Sequence, residues 1–419
     1  MTRVESDSMK NRISAAVFAL LIPIYFSGAS YAISWSEVSS LGLKNSHNLV
    51  AAQKQLESTE WSYKRSFSTF IPQLSASAGY SQDLITEGNP QTYSEGLSAT
   101  ENLFQGLADI YGMQSAYANL EFQKADFQAS EASVLYDLRS AYISLATAKE
   151  NVNILKQILS QRSQNSDMIQ LKYDGGNEDK GNLMSTKADE AAARADLVSA
   201  QRDLDLAWLK LSQLIGQNLS GEVASIAPSS AEAADIYALS KLTPDYVKAQ
   251  KTYELADLSQ KSNISEFLPT LQLRASDVKT GAAWPPSDNT NKTVGLNLSY
   301  NFFPGGSNIA DRAIAGANLD KAKENLAQTL NDLVYTLKTS YINYRDALDS
   351  LEVAKQSLAA NAERAKISNA KYQNGLTTYD QWSLIQNSYI QAQKGLVSSE
   401  RSALLAEAAW YKSYGGWIK

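Results

Sequence analysis

Residues 138–176 read LRSAYISLATAKENVNILKQILSQRSQNSDMIQLKYDGG, and residues 337–375 read LKTSYINYRDALDSLEVAKQSLAANAERAKISNAKYQNG. In the first stretch Leu138, Leu145, Val152, Leu159 and Tyr173 keep a seven-residue spacing that only Ser166 interrupts. An offset of 199 residues carries that seam onto Leu337, Tyr344, Leu351, Leu358, Ala365 and Tyr372. A second stripe, Ala141, Ala148, Leu155 and Ile169, moves by the same offset onto Ser340, Ala347, Ala354 and Ser368. An apolar repeat of seven held over five heptads means long helices supercoiled side by side. A duplication of this size governs how the rest of the chain is read.

The repeat extends in both directions. Upstream, Phe70-Ile71-Pro72-Gln73-Leu74 and Phe267-Leu268-Pro269-Thr270-Leu271 break a preceding helix, because proline biases the residue before it toward extended backbone. The first of those helices opens at Ser34-Trp35-Ser36-Glu37, which has the form of a capping box, and is expected to run to about Phe67. After each proline the pattern changes to a period of two, giving hairpins predicted over 72–104 and 269–303. Leu74, Ala76, Ala78 and Tyr80 face one way in the first, with a turn at Thr86-Glu87-Gly88-Asn89-Pro90. In the second, Gly281 to Lys292 reads as a loop, and Val294, Leu296, Leu298, Tyr300 and Phe302 form one strand face. Phe104, Phe302 and Phe303 stand at the strand exits beside glycine, as membrane-interface aromatics do.

Downstream, Gly175-Gly176 and Asn374-Gly375 stop helices of about 65 residues, on the order of 100 Å long. Return helices follow, marked by Leu183, Leu197, Leu204 and Leu211, and by Trp382, Tyr389, Leu396, Ala403 and Trp410. The organisation is therefore a first repeat over 33–216, a Ser/Ala/Gly-rich linker over 217–236 and a second repeat over 237–419. Residues 1–32 read as a secretory signal: Lys10 and Arg12, an apolar run from Ile13 to Phe26, and Ser30-Tyr31-Ala32 as the cleavage site.

No later segment approaches eighteen consecutive apolar residues, so any membrane crossing falls to strands. One chain offers four. Open edges are not tolerated in lipid, so copies must close the wall. Two give eight strands, too narrow for solute, whereas three give twelve and room for a pore. The fold class is thus mixed and mainly α, an internally duplicated trimer with a 12-stranded transmembrane β-barrel continued by a helical barrel.

The 419 residues carry a net charge of −6 with no basic stripe, which argues against nucleic acid. There is no cysteine and one histidine, His47, so thiol chemistry, His-based triads and His-rich metal sites are excluded. No cofactor is implied. No phosphate-binding loop energises the chain. Acidic pairs such as Asp174/Glu178 and Asp203/Asp205 read as solvated helix faces, and the chain is expected not to be an enzyme.

This order of elements resembles the TolC-like outer-membrane efflux proteins. The resemblance is carried by the paired proline entries at Pro72 and Pro269, the exits at Phe104 and Phe303, and the tips Tyr173-Asp174-Gly175-Gly176 and Tyr372-Gln373-Asn374-Gly375-Leu376-Thr377. It implies a homotrimer in outer-membrane lipid with a large periplasmic portion, serving an inner-membrane pump through a periplasmic adaptor. It also implies that the tips, Gly175, Gly176, Asn374, Gly375, Leu376 and Thr377, meet the adaptor and close the channel at rest. Candidate gate residues are Tyr173, Asp174, Glu178, Asp179, Tyr372 and Asp380. Thr377 stands where an arginine can form an inter-helix ion pair, so closure is expected to be hydrogen-bonded or steric. The alternative is a periplasmic adaptor or structural coiled coil without a pore, which would not need two long alternating hairpins.

Overall fold

The computed structural model describes residues 32–86, 88, 90–231 and 234–416. The expected secretory signal lies outside the described residues except for Ala32, as do Glu87 and Asn89 of the first hairpin turn and two residues of the linker.

Each half contains a helix, a hairpin, a very long helix and a return helix. In the first half these are α1 (Trp35–Asn45), α2 (His47–Ser66), β1 (Gln73–Gln82), β2 (Gln91–Gln105), α3 (Ala108–Asp174) and α4 (Lys180–Ile215). In the second they are α5 (Ile236–Ser240), α6 (Pro244–Ser262), β3 (Thr270–Gly281), β4 (Asn289–Ser299), α7 (Ser307–Gln373) and α8 (Tyr379–Ser413). Both α3 and α7 have 67 residues. The seam faces inward: Leu138, Leu145, Leu337 and Tyr344 are each at most 1% exposed.

The entry helix differs from expectation by a break at Ser46. The Ser34 hydroxyl caps α1 at the Glu37 N–H, 3.3 Å away, but Ser46 then turns extended and its own hydroxyl accepts from the Leu49 N–H at 3.4 Å. Asn45 and Ser46 offer side-chain hydrogen bonds that compete with continuous helix, and here the competition starts a second helix. The break lets α1 lie against α3 at Gly42, where an added Cβ would come within 2.3 Å of a Leu138 methyl. Leu138 is 1% exposed and belongs to the core cluster that holds Val38, Tyr142 and Leu211. Gly42→Ala is therefore expected to destabilise by about 1–3 kcal/mol through overpacking, read as a lowered unfolding midpoint.

The four strands form one open antiparallel sheet in the order β1-β2-β3-β4. Register places Leu74, Ala99, Ala275 and Val294 in one row and Ser75, Ser98, Ser276 and Thr293 in the next. Side chains of neighbouring rows point to opposite faces. Hydroxyl pairs bind across the second row, Ser75 to Ser98 and Ser276 to Thr293, each at 2.7 Å. The sheet thus has one largely apolar face and one hydroxyl-rich face. Its edge strands, β1 and β4, are exposed along their whole length.

Two strand boundaries correct the sequence reading. The expected loop 281–292 shortens to 282–288, because Lys292 pairs with Asp277 and Asn289 with Thr280. The strand face drawn through Phe302 stops at Ser299, which is opposite Thr270. Pro269 precedes Thr270 and has no N–H to offer, so Tyr300 to Phe303 lack a partner. Phe302 and Phe303 are consequently exposed outside the strand, while Phe104 stays within β2 because β3 pairs that far down its other side. The exits then turn sharply: Gly106 and Leu107, and their counterparts Gly305 and Gly306, all have left-handed backbone.

The linker carries local structure and is fixed to both long helices. Ile33 and Val223 form a parallel bridge, and the Tyr142 hydroxyl donates to the carbonyls of Ile33 (2.9 Å) and Ala224 (3.2 Å). On the other side, the Tyr344 hydroxyl donates to the Ser229 carbonyl at 2.5 Å. Tyr344 reads as a seam residue in the sequence; it and Tyr142 also anchor the linker through the carbonyls of Ser229 and Ala224.

Candidate functional site

The candidate site is the pair of turns joining α3 to α4 and α7 to α8. Both long helices end in the same hydrogen-bond arrangement. Gly176 N–H donates to the Tyr173 carbonyl at 2.9 Å and Asn177 N–H to that of Lys172 at 2.8 Å. In the second turn Gly375 donates to Tyr372 at 3.1 Å and Leu376 to Lys371 at 2.8 Å. This is the Schellman pattern, which requires left-handed backbone at the residue after the cap. Gly176 and Gly375 supply it with φ of 73° and 72°, while Gly175 and Asn374 hold the cap position itself. The return helices are capped alike, by the Asp179 carboxylate on Asn182 N–H and the Thr378 hydroxyl on Gln381 N–H.

The matched backbones carry unmatched side chains. Tyr173 and Tyr372 are equivalent in the repeat, yet Tyr173 is 36% exposed and Tyr372 is 3% exposed. Tyr372 packs with Ile169, Leu183 and Trp382, its ring stacked on Trp382 at 4.8 Å between centroids. The Lys172 ammonium lies 4.2 Å from the Tyr372 ring centroid and donates to the Tyr372 carbonyl at 2.8 Å. The Tyr372 hydroxyl donates to Glu178, whose other carboxylate oxygen accepts from the Asn182 amide at 2.8 Å. One turn of α4 further along, Thr186 and Tyr379 share a hydroxyl hydrogen bond of 2.9 Å.

Burial and the bond to Glu178 push the Tyr372 phenol well above its ordinary range. Burial works to raise Glu178, but the hydrogen bonds from Asn182, Tyr372 and its neighbour's N–H outweigh it and hold the carboxyl below its ordinary value. Both effects keep the same state: a neutral phenol donating to an ionised carboxylate, the stronger class of hydrogen bond.

Of the candidate gate residues, the structure brings together Glu178 and Tyr372. Asp179 serves its own helix cap, and Asp174 accepts from Gln170 within α3 at 2.9 Å. Asp380 is exposed in the first turn of α8, Leu376 is 74% exposed, and Thr377, among the described residues, bonds only Gln381 one turn on. Sequence reasoning missed Lys172 and Trp382, which hold the Tyr372 ring, and Asn182 and Thr186, which bond Glu178 and Tyr379 beside it. It also missed the bonds that continue between the two hairpins away from the tip. Gln161 donates to Gln386 at 2.8 Å, Arg162 bridges Asp189 (3.0 Å) and Asn387, and Lys394 pairs with Asp196 at 2.9 Å. The available signal was the repeat itself: Glu178 aligns with Thr377 and Leu183 with Trp382, and positions where copies diverge are where the copies do different work.

Among the described residues, no group of three or more acidic or histidine side chains is placed to hold a metal, and no helix is long and apolar enough to cross a membrane.

A model of the family described as "Outer membrane efflux protein" matches residues 38–217 and 236–416, one match for each structural repeat. Outer membrane protein TolC of Escherichia coli (strain K12) is 25% identical over 338 residues, covering 74% of this chain and 68% of that protein. Among solved structures, the CusC channel superposes with a TM-score of 0.82 at 16% identity, covering 91% of this chain and 92% of that one. The outer membrane protein VceC of Vibrio cholerae gives 0.79 at 18% identity, covering 91% and 96%.

Proposed function

This chain belongs to the outer membrane efflux protein family, and from that premise we propose that three copies form a passive exit conduit, shut at the helical turns and opened when a periplasmic adaptor, acting with an inner-membrane pump, spreads them. The family is one of channels located in the outer membrane, with the helical part on the periplasmic side.

The observation that carries the proposal is the four-stranded sheet. It has an apolar face, a hydroxyl-rich face and two unpaired edges. In lipid each edge strand needs a partner, and identical copies supply β4 to β1 around a ring. The helices show a matching need. Met184, Leu206 and Leu209 on α4, and Tyr335, Val353 and Ile367 on α7, are each between 49% and 74% exposed. Neighbouring copies would cover these apolar side chains as the strands close. The helical turns, with Gly175, Gly176, Asn374, Gly375, Leu376 and Thr377 outermost, are then the ends an adaptor meets, and Tyr372–Glu178 is the charge-assisted one of the bonds that hold the two hairpins of a subunit together there.

Mass measurement in detergent tests the assembly, with a particle of three chains expected. A monomer that stays monomeric on reconstitution and carries no current in a planar bilayer overturns the proposal.

The closing bond also fixes a pH window. Glu178 is held below its ordinary 4.5, so its contribution to the closed tip is complete above that value and is lost as pH falls through the lowered one. Tyr372 is raised above its ordinary 10.0, so ionisation favours the spread tip as pH climbs past the ordinary tyrosine value. Resting conductance is expected to be flat between about pH 5 and 9 and to rise on both sides. A rise centred near neutrality would assign closure to other groups.

A further inference from the structure

Six charged residues lie in the four strands, and five of them lie on the apolar face. Lys279 pairs with Glu95 at 3.1 Å and Lys292 with Asp277 at 3.4 Å, in neighbouring rows near the hairpin ends. Glu101, opposite Leu273, is the fifth. The sixth, Arg274, is on the hydroxyl-rich face, in the row of Gln73, Thr100 and Gly295. Apart from Val278, and leaving aside the bulge at Leu103, every other residue on that face is Ser, Thr, Asn, Gln or Gly. Arg274 is exposed and has no carboxylate within ion-pair distance among the described residues. Gly295 opposite it leaves the guanidinium unobstructed.

We propose that Arg274 is a specificity-determining residue of the pore: repeated by threefold symmetry, it forms a cationic ring at the helical end of the barrel that favours anionic solutes over cations. This rests on the conduit reading. In a closed barrel the apolar face meets lipid and the hydroxyl-rich face meets the water of the lumen, because the reverse would place rows of hydroxyl and amide groups in hydrocarbon. A guanidinium does not deprotonate at any working pH. With no acidic group on its face, its charge is offset only by mobile ions, and low-dielectric walls concentrate its field along the passage. Rings of Arg or Lys favour anions in other pores for this reason. The hydroxyl and amide groups around it hydrogen-bond solutes of either sign and give no charge preference.

The test is the reversal potential of reconstituted channels under a KCl gradient at low ionic strength, where screening is weakest. Parent, Arg274→Lys, Arg274→Gln and Arg274→Glu are compared in a background opened by Tyr372→Phe. Arg274→Lys is expected to stay near the parent. Arg274→Gln shifts the reversal potential toward potassium preference, and Arg274→Glu shifts it further in the same direction. Conducting channels in which Gln and Glu leave the reversal potential unchanged overturn the role of Arg274 while leaving the conduit intact. Folded trimers that carry no current in any form overturn the conduit reading, and this inference with it.

Discussion

Glu407→Ala is expected to destabilise the protein by about 3–5 kcal/mol, a large effect for one side chain that lies far from the helical tips. Glu407 is 2% exposed on α8, and Arg139 is 5% exposed on α3. Their nearest charged atoms are 3.7 Å apart, and the Arg139 Nε has no hydrogen-bond partner among the described residues. Burial drives the Arg139 pKa down, while Glu407, with a smaller contribution from Tyr142, opposes the shift. The guanidinium otherwise rests on the Trp35 ring, 4.9 Å from its centroid. Removing Glu407 leaves a buried cation without a counter-charge, and its destabilisation is much larger than the net worth of the pair. It also removes the acceptor for the Ser229 N–H, 3.0 Å away, and for the Ser229 hydroxyl. Glu407→Gln should cost less, since it preserves an acceptor for Ser229. The double replacement Arg139→Met with Glu407→Leu should cost less than the two single changes added together, because an apolar pair of similar volume is tolerated where a lone charge is not. Thermal loss of helical signal in detergent measures all five variants, the two single changes Arg139→Met and Glu407→Leu included. Strict additivity of the double variant, or a near-neutral Glu407→Ala, would show that the pair is not electrostatically coupled.

That pair illustrates what was hidden in the sequence. The duplicated long helices, the two hairpins and the stops at Gly176 and Gly375 were legible because each is a local signal: a period of seven, a period of two, or a residue that tolerates positive φ. The break at Ser46 was locally encoded too, but the apolar periodicity running through it masked a side-chain cap. The end of β4 was not local at all. Tyr300 and Phe302 alternate perfectly well, and the strand stops because Pro269, just before the neighbouring strand β3, leaves them nothing to pair with. Arg139 and Glu407 stand in opposite repeats, so their contact depends on how α8 lies along α3, which no periodicity specifies. The tip shows the same division. Its backbone was readable twice over, whereas the burial of Tyr372 and the exposure of Tyr173 follow from which hairpin lies beside which.

Tyr372→Phe is expected to raise the resting conductance of the reconstituted trimer more than any other single change at the tips. The substitution keeps the ring, and with it the stacking on Trp382 and the Lys172 contact, and removes only the hydroxyl that donates to Glu178. A hydrogen bond to a charged group is worth about 1.5–3 kcal/mol net, which shifts the balance between closed and spread tips by roughly ten- to a hundredfold per subunit. Glu178 is only half-buried, so water satisfies the freed carboxylate in part and the effect belongs to the lower end of that range. Glu178→Gln weakens the same bond from the other side by removing the charge on the acceptor. If the two residues act as one unit, the double variant conducts no more than Tyr372→Phe alone, because the second change has no bond left to break. Asp380→Asn provides the comparison: its carboxylate is exposed and, among the described residues, makes no side-chain bond to the other hairpin, so conductance should stay at the parent level. Thr377→Ala, which loses only a bond within its own turn, should behave like Asp380→Asn. The pattern across these variants separates a specific bond from general loosening. Equal opening in all of them would mean that any disturbance spreads the tips, and a silent Tyr372→Phe beside a conducting parent would place the gate elsewhere along the hairpins.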